Sequence, residues 1–223
     1  MSNNFDPNQN HYIYIEKDTT PLMFIHGVGL DHQMWDPQID NLKEFSTITY
    51  DLLGHGKTPC KKDKLSLNDF SNQLINILEH LKIDKIHLIG FSLGSLIALD
   101  FVSKIQNKVD KLILIGTTYK RTIEERSLVI DRYNQAKLNK PISKQALKRW
   151  FTDKYLEENP KTYDLFMNIL NKKSVDHKNF LKAYELFANH EDATPLIQDI
   201  SSKTLVMTGS DDPGSTPAMS KKL

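Results

Sequence analysis

Short apolar runs alternate with longer amphipathic segments through the first half of the chain. The runs predict strands at residues 11–15, 22–25, 47–50, 85–89 and 112–115, and a further one at 204–207. Apolar residues at helical spacing predict helices at residues 33–45, 66–81 and 96–105, the second of them with a capping box at its start. Strands that alternate with helices in this way predict an α/β fold, with a mostly parallel sheet and helices on both faces.

The alternation stops near residue 119. From there to residue 200 the chain is helix-like and shows no strand pattern. A helical segment inserted between two strands of one sheet is most simply a cap over the carboxyl ends of the strands. We therefore predict the first part of an α/β core at 1–118, a helical cap and its return to the core at 119–200, and the second part of the core at 201–223.

Composition narrows the class of protein. The 223 residues suit one sizeable domain, and a net charge of +1 gives no sign of a nucleic-acid partner. Lysine outnumbers arginine 25 to 4, which we interpret as codon bias from an AT-rich genome rather than as a binding patch. The single cysteine, Cys60, excludes an intrachain disulfide and is predicted to be a surface thiol. Because the chain shows neither a signal-peptide pattern nor an apolar run of membrane-spanning length, we expect a cytoplasmic protein without a membrane partner.

The segment Gly90-Phe-Ser-Leu-Gly94 has the form G-x-S-x-G and lies between a predicted buried strand and a predicted apolar helix. A serine on such a sharp strand-to-helix turn needs small neighbours on both sides, because the backbone is strained and the helix packs close. The turn exposes the Ser92 hydroxyl, and the helix N-terminus behind it favours developing negative charge. We predict that Ser92 is a catalytic nucleophile. The alternative is a tight connection that carries an ordinary serine.

A second loop, His26-Gly-Val-Gly29, follows the predicted strand at 22–25 and is expected at the same edge of the sheet. Acyl transfer needs two N–H donors aimed at the position where an oxyanion forms. We assign one donor to Leu93, the residue after the proposed nucleophile, and the other to Val28. The imidazole of His26 is predicted to hold the loop rather than to act as a catalyst.

The candidate catalytic acid follows the last predicted strand, in the segment Thr208-Gly-Ser-Asp-Asp-Pro213. The acid of a catalytic triad must lie on a loop at the same sheet edge as the serine. A G-x-x-D spacing nominates Asp212, with its neighbour Asp211 and a plain turn as the alternatives.

With these motifs in order, the chain resembles the α/β-hydrolase superfamily, in the cap-bearing branch of esterases, lactonases and haloperoxidase-like enzymes. The resemblance runs from about residue 12 to the C-terminus, and residues 187–192 and 212–217 look most like 3-oxoadipate enol-lactonase and its relatives. Departures from the family pattern are modest, with Leu53 where an arginine is common and Ser95 where a second glycine is. The resemblance to this superfamily rests on four motifs that occur in this order: His26-Gly-Val-Gly29, Asp51-Leu-Leu-Gly-His-Gly56, Gly90-Phe-Ser-Leu-Gly94 and Gly209-Ser-Asp-Asp212.

The resemblance also implies the order serine, acid, histidine, yet no histidine follows Asp212. We therefore expect a fragment, or a product truncated at its C-terminus, in which the last strand and helix of the fold and the catalytic histidine are absent. Without a base, serine is a poor nucleophile, so we expect this chain to be nearly inactive. All eight histidines precede the acid. His26 and His55, on loops at the catalytic edge, are the first candidates for a substitute base, and His177 and His190, in the cap or its return, are weaker alternatives.

The sequence thus predicts a serine hydrolase of small carboxylic esters or lactones that uses no metal and no other cofactor. Carbon–carbon bond hydrolysis and haloperoxidase-like chemistry are alternatives on the same scaffold, because residues of the cap decide between them. Outside enzymes, the alternative is a non-catalytic binding protein of the same fold, which has no need of a base.

Overall fold

A single sheet of seven strands organises the chain, as seen in a computed structural model that describes residues 4–138, 143–171 and 177–223. The strands are β1 (Asn4–Phe5), β2 (His11–Ile15), β3 (Leu22–Ile25), β4 (Thr47–Tyr50), β5 (Ile86–Phe91), β6 (Val109–Ile115) and β7 (Lys203–Met207). Their order across the sheet is β1-β2-β4-β3-β5-β6-β7. The five strands from β4 to β7 are parallel, and β1 and β2 join them antiparallel.

Helices connect the strands and form the segment between β6 and β7. Those of the core are α1 (Asp36–Ile39), α2 (Leu67–Leu81), α3 (Leu93–Lys104) and α10 (Pro217–Ser220). Between β6 and β7 lie α4 (Ile123–Lys137), α5 (Ser143–Trp150), α6 (Asp153–Glu158), α7 (Pro160–Asn171), α8 (His177–Asn189) and α9 (Thr194–Ile197). None of the helices in the described residues is both long enough and apolar enough to cross a membrane.

The strands bury alternate residues on opposite faces, because side chains along a strand point up and down in turn. Met23 and Leu88 join the cluster that α2 and α3 cover, whereas their neighbours Phe24 and Ile89 join a second cluster with Trp35. That second cluster also contains side chains from α5 and α7. The parallel strands are therefore covered on both faces, which confirms the fold class predicted from the alternation of elements.

The ends of the helical segment meet where it leaves and rejoins the core. Lys120 and Asp192 form an antiparallel bridge, and the Ala193 N–H donates to the Tyr119 carbonyl oxygen at 2.8 Å. The Arg121 N–H also donates to the Glu191 carbonyl oxygen, at 3.1 Å. The six helices are thereby closed at their base into one insertion.

The capping box predicted for α2 is present. The Ser66 side chain accepts from the Asp69 N–H, and the Asp69 carboxylate accepts from the Ser66 N–H. This reciprocal pair satisfies two backbone donors that the first turn of a helix leaves open. The helix ends at Leu81, and its C-cap residue Lys82 has a φ of 55°, in the left-handed region.

Three expectations about local structure were wrong. The helix predicted at 33–45 is a 3₁₀ turn (His32–Trp35) followed by the single turn α1, because the chain then continues through i→i+3 bonds such as Leu42 N–H to Ile39 O. Helix α3 begins three residues before the predicted start at residue 96, since the turn at Ser92 leads straight into it. Cys60 is not a surface thiol: only 8% of it is exposed, and it packs in the core beside α2.

Candidate active site

Ser92 lies between the end of β5 and the start of α3, in a conformation that few residues adopt. Its φ is 54° and its ψ is −115°, in a region favoured by glycine. The Ser92 N–H donates to the Ile115 carbonyl oxygen of β6 at 2.9 Å, which fixes the turn against the sheet. A backbone held in this way costs about 1–3 kcal/mol and persists only where the surrounding structure determines it.

The two glycines of the motif are required by close backbone contacts. A Cβ added at Gly90 lies 2.4 Å from the Gly94 carbonyl oxygen, and a Cβ added at Gly94 lies 2.4 Å from the Ile25 carbonyl oxygen. Both distances are shorter than real Cβ contacts allow, and both obstacles are backbone. The glycines therefore let α3 approach β3 and β5 closely enough for the turn to present Ser92 at the carboxyl edge of the sheet.

Ser92 faces a cavity of about 1450 Å³ between the sheet edge and the helical insertion. The loop with Gly27 and Val28, the turn at Gly116 and the Asp212 side chain also line this cavity. The carboxyl ends of the neighbouring strands β3, β5, β6 and β7 thus bring these four separate loops of the sequence to one place, as expected for parallel strands.

The Val28 and Leu93 backbones flank Ser92. The Val28 loop packs directly on the turn, since a Cβ added at Gly27 lies 3.0 Å from the Phe91 ring and 3.3 Å from the Ser92 Cβ. Leu93 is the first residue of α3, so its N–H has no acceptor within the helix. Within the described residues, neither the Val28 N–H nor the Leu93 N–H donates to a protein acceptor. Of the two residues, Val28 lines the cavity, and Leu93 directly follows Ser92, which also lines it.

Asp212 is half-buried at the cavity wall, whereas Asp211 is exposed and does not line the cavity. The Asp212 Oδ1 accepts from the backbone N–H groups of Gly214 and Ser215, at 2.8 and 2.9 Å. Its Oδ2 accepts from the Thr208 hydroxyl at 3.2 Å. These bonds orient the carboxylate, and the position favours Asp212 over its neighbour as the candidate acid.

The two histidines considered as substitute bases both hold loops. The Nε2 of His26 accepts from the Leu52 N–H at 2.9 Å, and the Nε2 of His55 accepts from the Gly29 N–H at 3.1 Å. Burial lowers the pKa of His26 to about 3 and that of His55 to about 4. Both rings are neutral at pH 7 with their basic nitrogen occupied, and neither forms a hydrogen bond with Ser92.

A buried group of His11, His32 and Asp51 lies beside the cavity and was missed in the sequence. Nδ1 atoms of both histidines bond to the Asp51 carboxylate, at 2.8 and 2.7 Å, and the three possible ligand atoms lie within 4.8 Å of one another. Each carboxylate oxygen also accepts a backbone N–H, from His32 and from Lys57. Burial alone raises the pKa of Asp51, but the bonds from His11 and His32 hold it well below its usual range. The donors are arranged around a carboxylate, so the group ties loops together.

Sequence reasoning also missed the arginines that the helical insertion places in the cavity wall, Arg121, Arg132 and Arg149. Each of them is isolated among lysines or acids along the chain, and no motif marks them. Only the packing of α4, α5 and α8 brings them together. The one available signal was their restriction to a single segment of a lysine-rich sequence.

The fold defines an α/β hydrolase. The chain belongs to the alpha/beta hydrolase fold family, whose model matches residues 20–223. It is similar to the (E)-2-((N-methylformamido)methylene)succinate hydrolase of Acinetobacter baylyi, with 29% identity over 219 residues, 95% of this chain and 80% of that protein. It is also similar to 3-oxoadipate enol-lactonase 2 of the same organism, with 25% identity over 214 residues, 94% of this chain and 78% of that protein.

Solved structures share the fold. The enol-lactonase from Burkholderia xenovorans superposes with a TM-score of 0.84 at 21% identity, covering 96% of this chain and 83% of that one. A thermophilic esterase from Thermogutta terrifontis, solved with malate bound, superposes with a TM-score of 0.83 at 22% identity, covering 99% and 82%. The family and the enol-lactonase resemblance inferred from the motifs are therefore confirmed.

Proposed function

We propose that this protein hydrolyses small carboxylic esters or lactones through Ser92. The observation that carries the proposal is the strained Ser92 turn, which faces a large cavity together with two free N–H donors and an oriented carboxylate. The curated relatives named above, a succinate-derivative hydrolase and an enol-lactonase, support hydrolysis as the reaction class. In the proposed division of the chain, 1–118 and 201–223 form the core and 119–200 is the cap.

In the proposed reaction, the Ser92 Oγ attacks the carbonyl carbon, and the carbonyl oxygen becomes an oxyanion held by the Val28 and Leu93 N–H groups. The tetrahedral intermediate expels the alcohol, which leaves with a proton, and an acyl-serine remains. Water then attacks the acyl group, releasing the carboxylic acid and restoring Ser92. A base takes the Ser92 proton and gives it to the leaving alcohol, then takes a proton from the attacking water and returns it to Ser92. Asp212 is placed to orient such a base.

A histidine to act as this base is not supplied by the described side chains around the cavity. His26 and His55 hold loops, and His32 bonds to Asp51. We therefore propose that the 223-residue chain turns over slowly by itself, and that a diffusible base accelerates it. Removal of a triad member lowers serine-hydrolase rates by several orders of magnitude.

The test is labelling of the 223-residue chain by a fluorophosphonate, and hydrolysis of p-nitrophenyl acetate, each with and without added imidazole. We expect imidazole to increase both, with the label on the peptide that contains Ser92. In Ser92→Ala both signals should fall to the level of imidazole alone. The matched control is Ser103→Ala, which removes an exposed hydroxyl from the same helix and should behave as the parent.

Absence of labelling at Ser92 under all conditions would contradict the proposal and favour a non-catalytic binding protein. Equal turnover in the parent and in Ser92→Ala, above the imidazole background, would place the chemistry on another residue.

A further inference from the structure

The four arginines of this chain all lie between residues 121 and 149, although lysine is the ordinary cation everywhere else. Three of them, Arg121, Arg132 and Arg149, line the cavity that Ser92 faces, and we refer to these three as the arginine cluster. The fourth, Arg126, points to Glu191 and forms an ion pair with it outside the cavity lining. Guanidinium differs from ammonium in presenting a planar fork of donors, which matches the two oxygens of a carboxylate.

One edge of the Arg121 guanidinium forms hydrogen bonds within the protein, and the other edge forms none among the described residues. Its Nη1 donates to the carbonyl oxygens of Phe187 and His190, at 2.7 and 2.9 Å, and the group lies over the Phe187 ring, 4.4 Å from the ring centroid. Its Nε and Nη2 are buried and have no hydrogen-bond partner among the described residues. A buried donor without a partner is unfavourable, so this edge has an unmet need for an acceptor.

Further arginines lie near Arg121: the charge of Arg132 opposes its cationic form, whereas that of Glu125 favours it. Arg132 lies beside Tyr184, and the Nη1 of Arg149 donates to the neutral Gln145 carbonyl oxygen at 3.2 Å. Burial and the charge of Arg132 lower the pKa of Arg121 to about 10, and the same two causes lower the pKa of Arg149. The three cations therefore repel one another across the cavity.

The carboxylates of the lining lie mostly on the sheet side of the cavity. On the insertion side, the described lining carries one carboxylate, Glu125, whose Oε2 accepts from the Thr122 N–H at the start of α4. Lys137 and Lys178 add further cations to the same wall. On the sheet side the lining carries Asp31, Asp51 and Asp212. Asp51 bonds to His11 and His32, and the Asp212 charge favours the cationic form of Arg149. The wall opposite Ser92 is therefore cationic.

We propose that the arginine cluster binds a free carboxylate of the substrate, so that this site takes esters or lactones of dicarboxylic acids in preference to uncharged ones. The preference among hydrolysed substrates rests on the function proposed above. The binding of a carboxylate to the arginine cluster does not depend on that function. Arg121 offers one fork edge in one plane, which suits the two oxygens of a carboxylate better than the three oxygens of a phosphate.

Binding is tested with glutarate, a dicarboxylate without a scissile bond, by calorimetry at low ionic strength. We expect glutarate to bind the parent chain and Ser92→Ala equally, and its diamide to bind neither. Arg121→Gln and Arg149→Gln should each weaken glutarate binding at least tenfold. The matched control is Arg126→Gln, which removes the same charge outside the cavity and should change the affinity less than twofold.

The conservative variant Arg149→Lys separates the fork from the charge and keeps the test decisive if Arg121→Gln does not fold. It should recover only part of the affinity lost in Arg149→Gln. Full recovery with lysine, or inorganic phosphate binding as tightly as glutarate, would overturn the carboxylate assignment in favour of a general anion site. Equal binding by the parent and all arginine variants would overturn the site itself.

Kinetics connect the site to the reaction. Mono-p-nitrophenyl glutarate and p-nitrophenyl valerate have the same acyl length and differ by a carboxylate in place of a methyl group. In imidazole-supplemented assays we expect a higher kcat/KM for the glutarate ester, an advantage lost through KM in Arg149→Gln. If neither ester reacts at Ser92 but glutarate still binds to the cluster, the proposed hydrolysis fails and the carboxylate site stands.

Discussion

The burial of two neutral histidines leads us to predict that the protein loses stability in mild acid. His26 and His55 are fully buried, and each uses its Nε2 to accept a backbone N–H from a loop at the cavity. Burial is the largest cause that lowers their pKa values, to about 3 and about 4. At pH 5 both rings are therefore neutral in the folded protein, whereas in the unfolded chain, with a pKa of about 6.5, they are mostly protonated.

The magnitude follows from proton linkage. A folded pKa below the unfolded one contributes stability that is present above about pH 6.5 and is lost as the pH falls toward the folded value. For each histidine that stays neutral in the folded protein, the free energy of unfolding falls by about 2 kcal/mol between pH 7.5 and pH 5, because only the unfolded chain is stabilised by protonation. The result depends little on the folded pKa while that value stays below 5. Together the two contribute about 4 kcal/mol, a large share of a typical stability of about 5–15 kcal/mol.

Urea unfolding from pH 7.5 to pH 5 measures this effect in the parent, in His26→Gln, in His55→Gln and in the double variant. Glutamine keeps a hydrogen-bond acceptor near the Nε2 position but takes up no proton. Each single variant should lose about 2 kcal/mol less than the parent over this range, and the double variant about 4 kcal/mol less.

His32 acts in the opposite direction. Burial is the largest cause and lowers its pKa, but the bond to Asp51 and the charges of nearby acids together raise it above its usual value. Its contribution to stability is therefore lost as the pH rises through the folded pKa. Because His32 is present in every variant, comparison with the parent cancels its contribution. The matched control is His80→Gln, which removes an exposed histidine from α2. If the parent and the double variant lost equal stability between pH 7.5 and pH 5, these rings would not be neutral acceptors and the reasoning would be refuted.

Two further predictions concern packing. Gly94→Ala should lower the free energy of unfolding by about 3 kcal/mol or more, because its Cβ would lie 2.4 Å from the Ile25 carbonyl oxygen. The control is Gly209→Ala, where the nearest atom to an added Cβ is 4.0 Å away. In the same urea assay its free energy of unfolding should stay within about 0.5 kcal/mol of the parent. No strand of the described residues pairs with the outer edge of β7, where Leu205 is 53% exposed. Leu205→Lys should therefore reduce aggregation, measured by light scattering. An unchanged aggregation rate would show that this edge is not responsible.

The local patterns of this sequence were informative wherever a short segment determines its own structure. Strands β2, β3 and β4 begin and end at the predicted residues, because each is a short apolar run between turn residues. The helix predicted at 33–45 was wrong because apolar residues at helical spacing also occur in consecutive 3₁₀ turns. The two-residue strand β1 is too short to leave a pattern.

The sequence by itself determined the class of fold, the position of Ser92 on a strand-to-helix turn and the nomination of Asp212. The class of fold follows from the alternation of apolar runs and amphipathic segments along the chain, and the other two depend on residues within a few positions of one another. The tertiary structure alone decided that His26 and His55 hold loops, that Asp51 bonds two histidines, and that the arginine cluster lines the cavity that Ser92 faces. Those arrangements depend on elements distant in sequence that pack together, and burial, charge and hydrogen bonding at such contacts have no local signature.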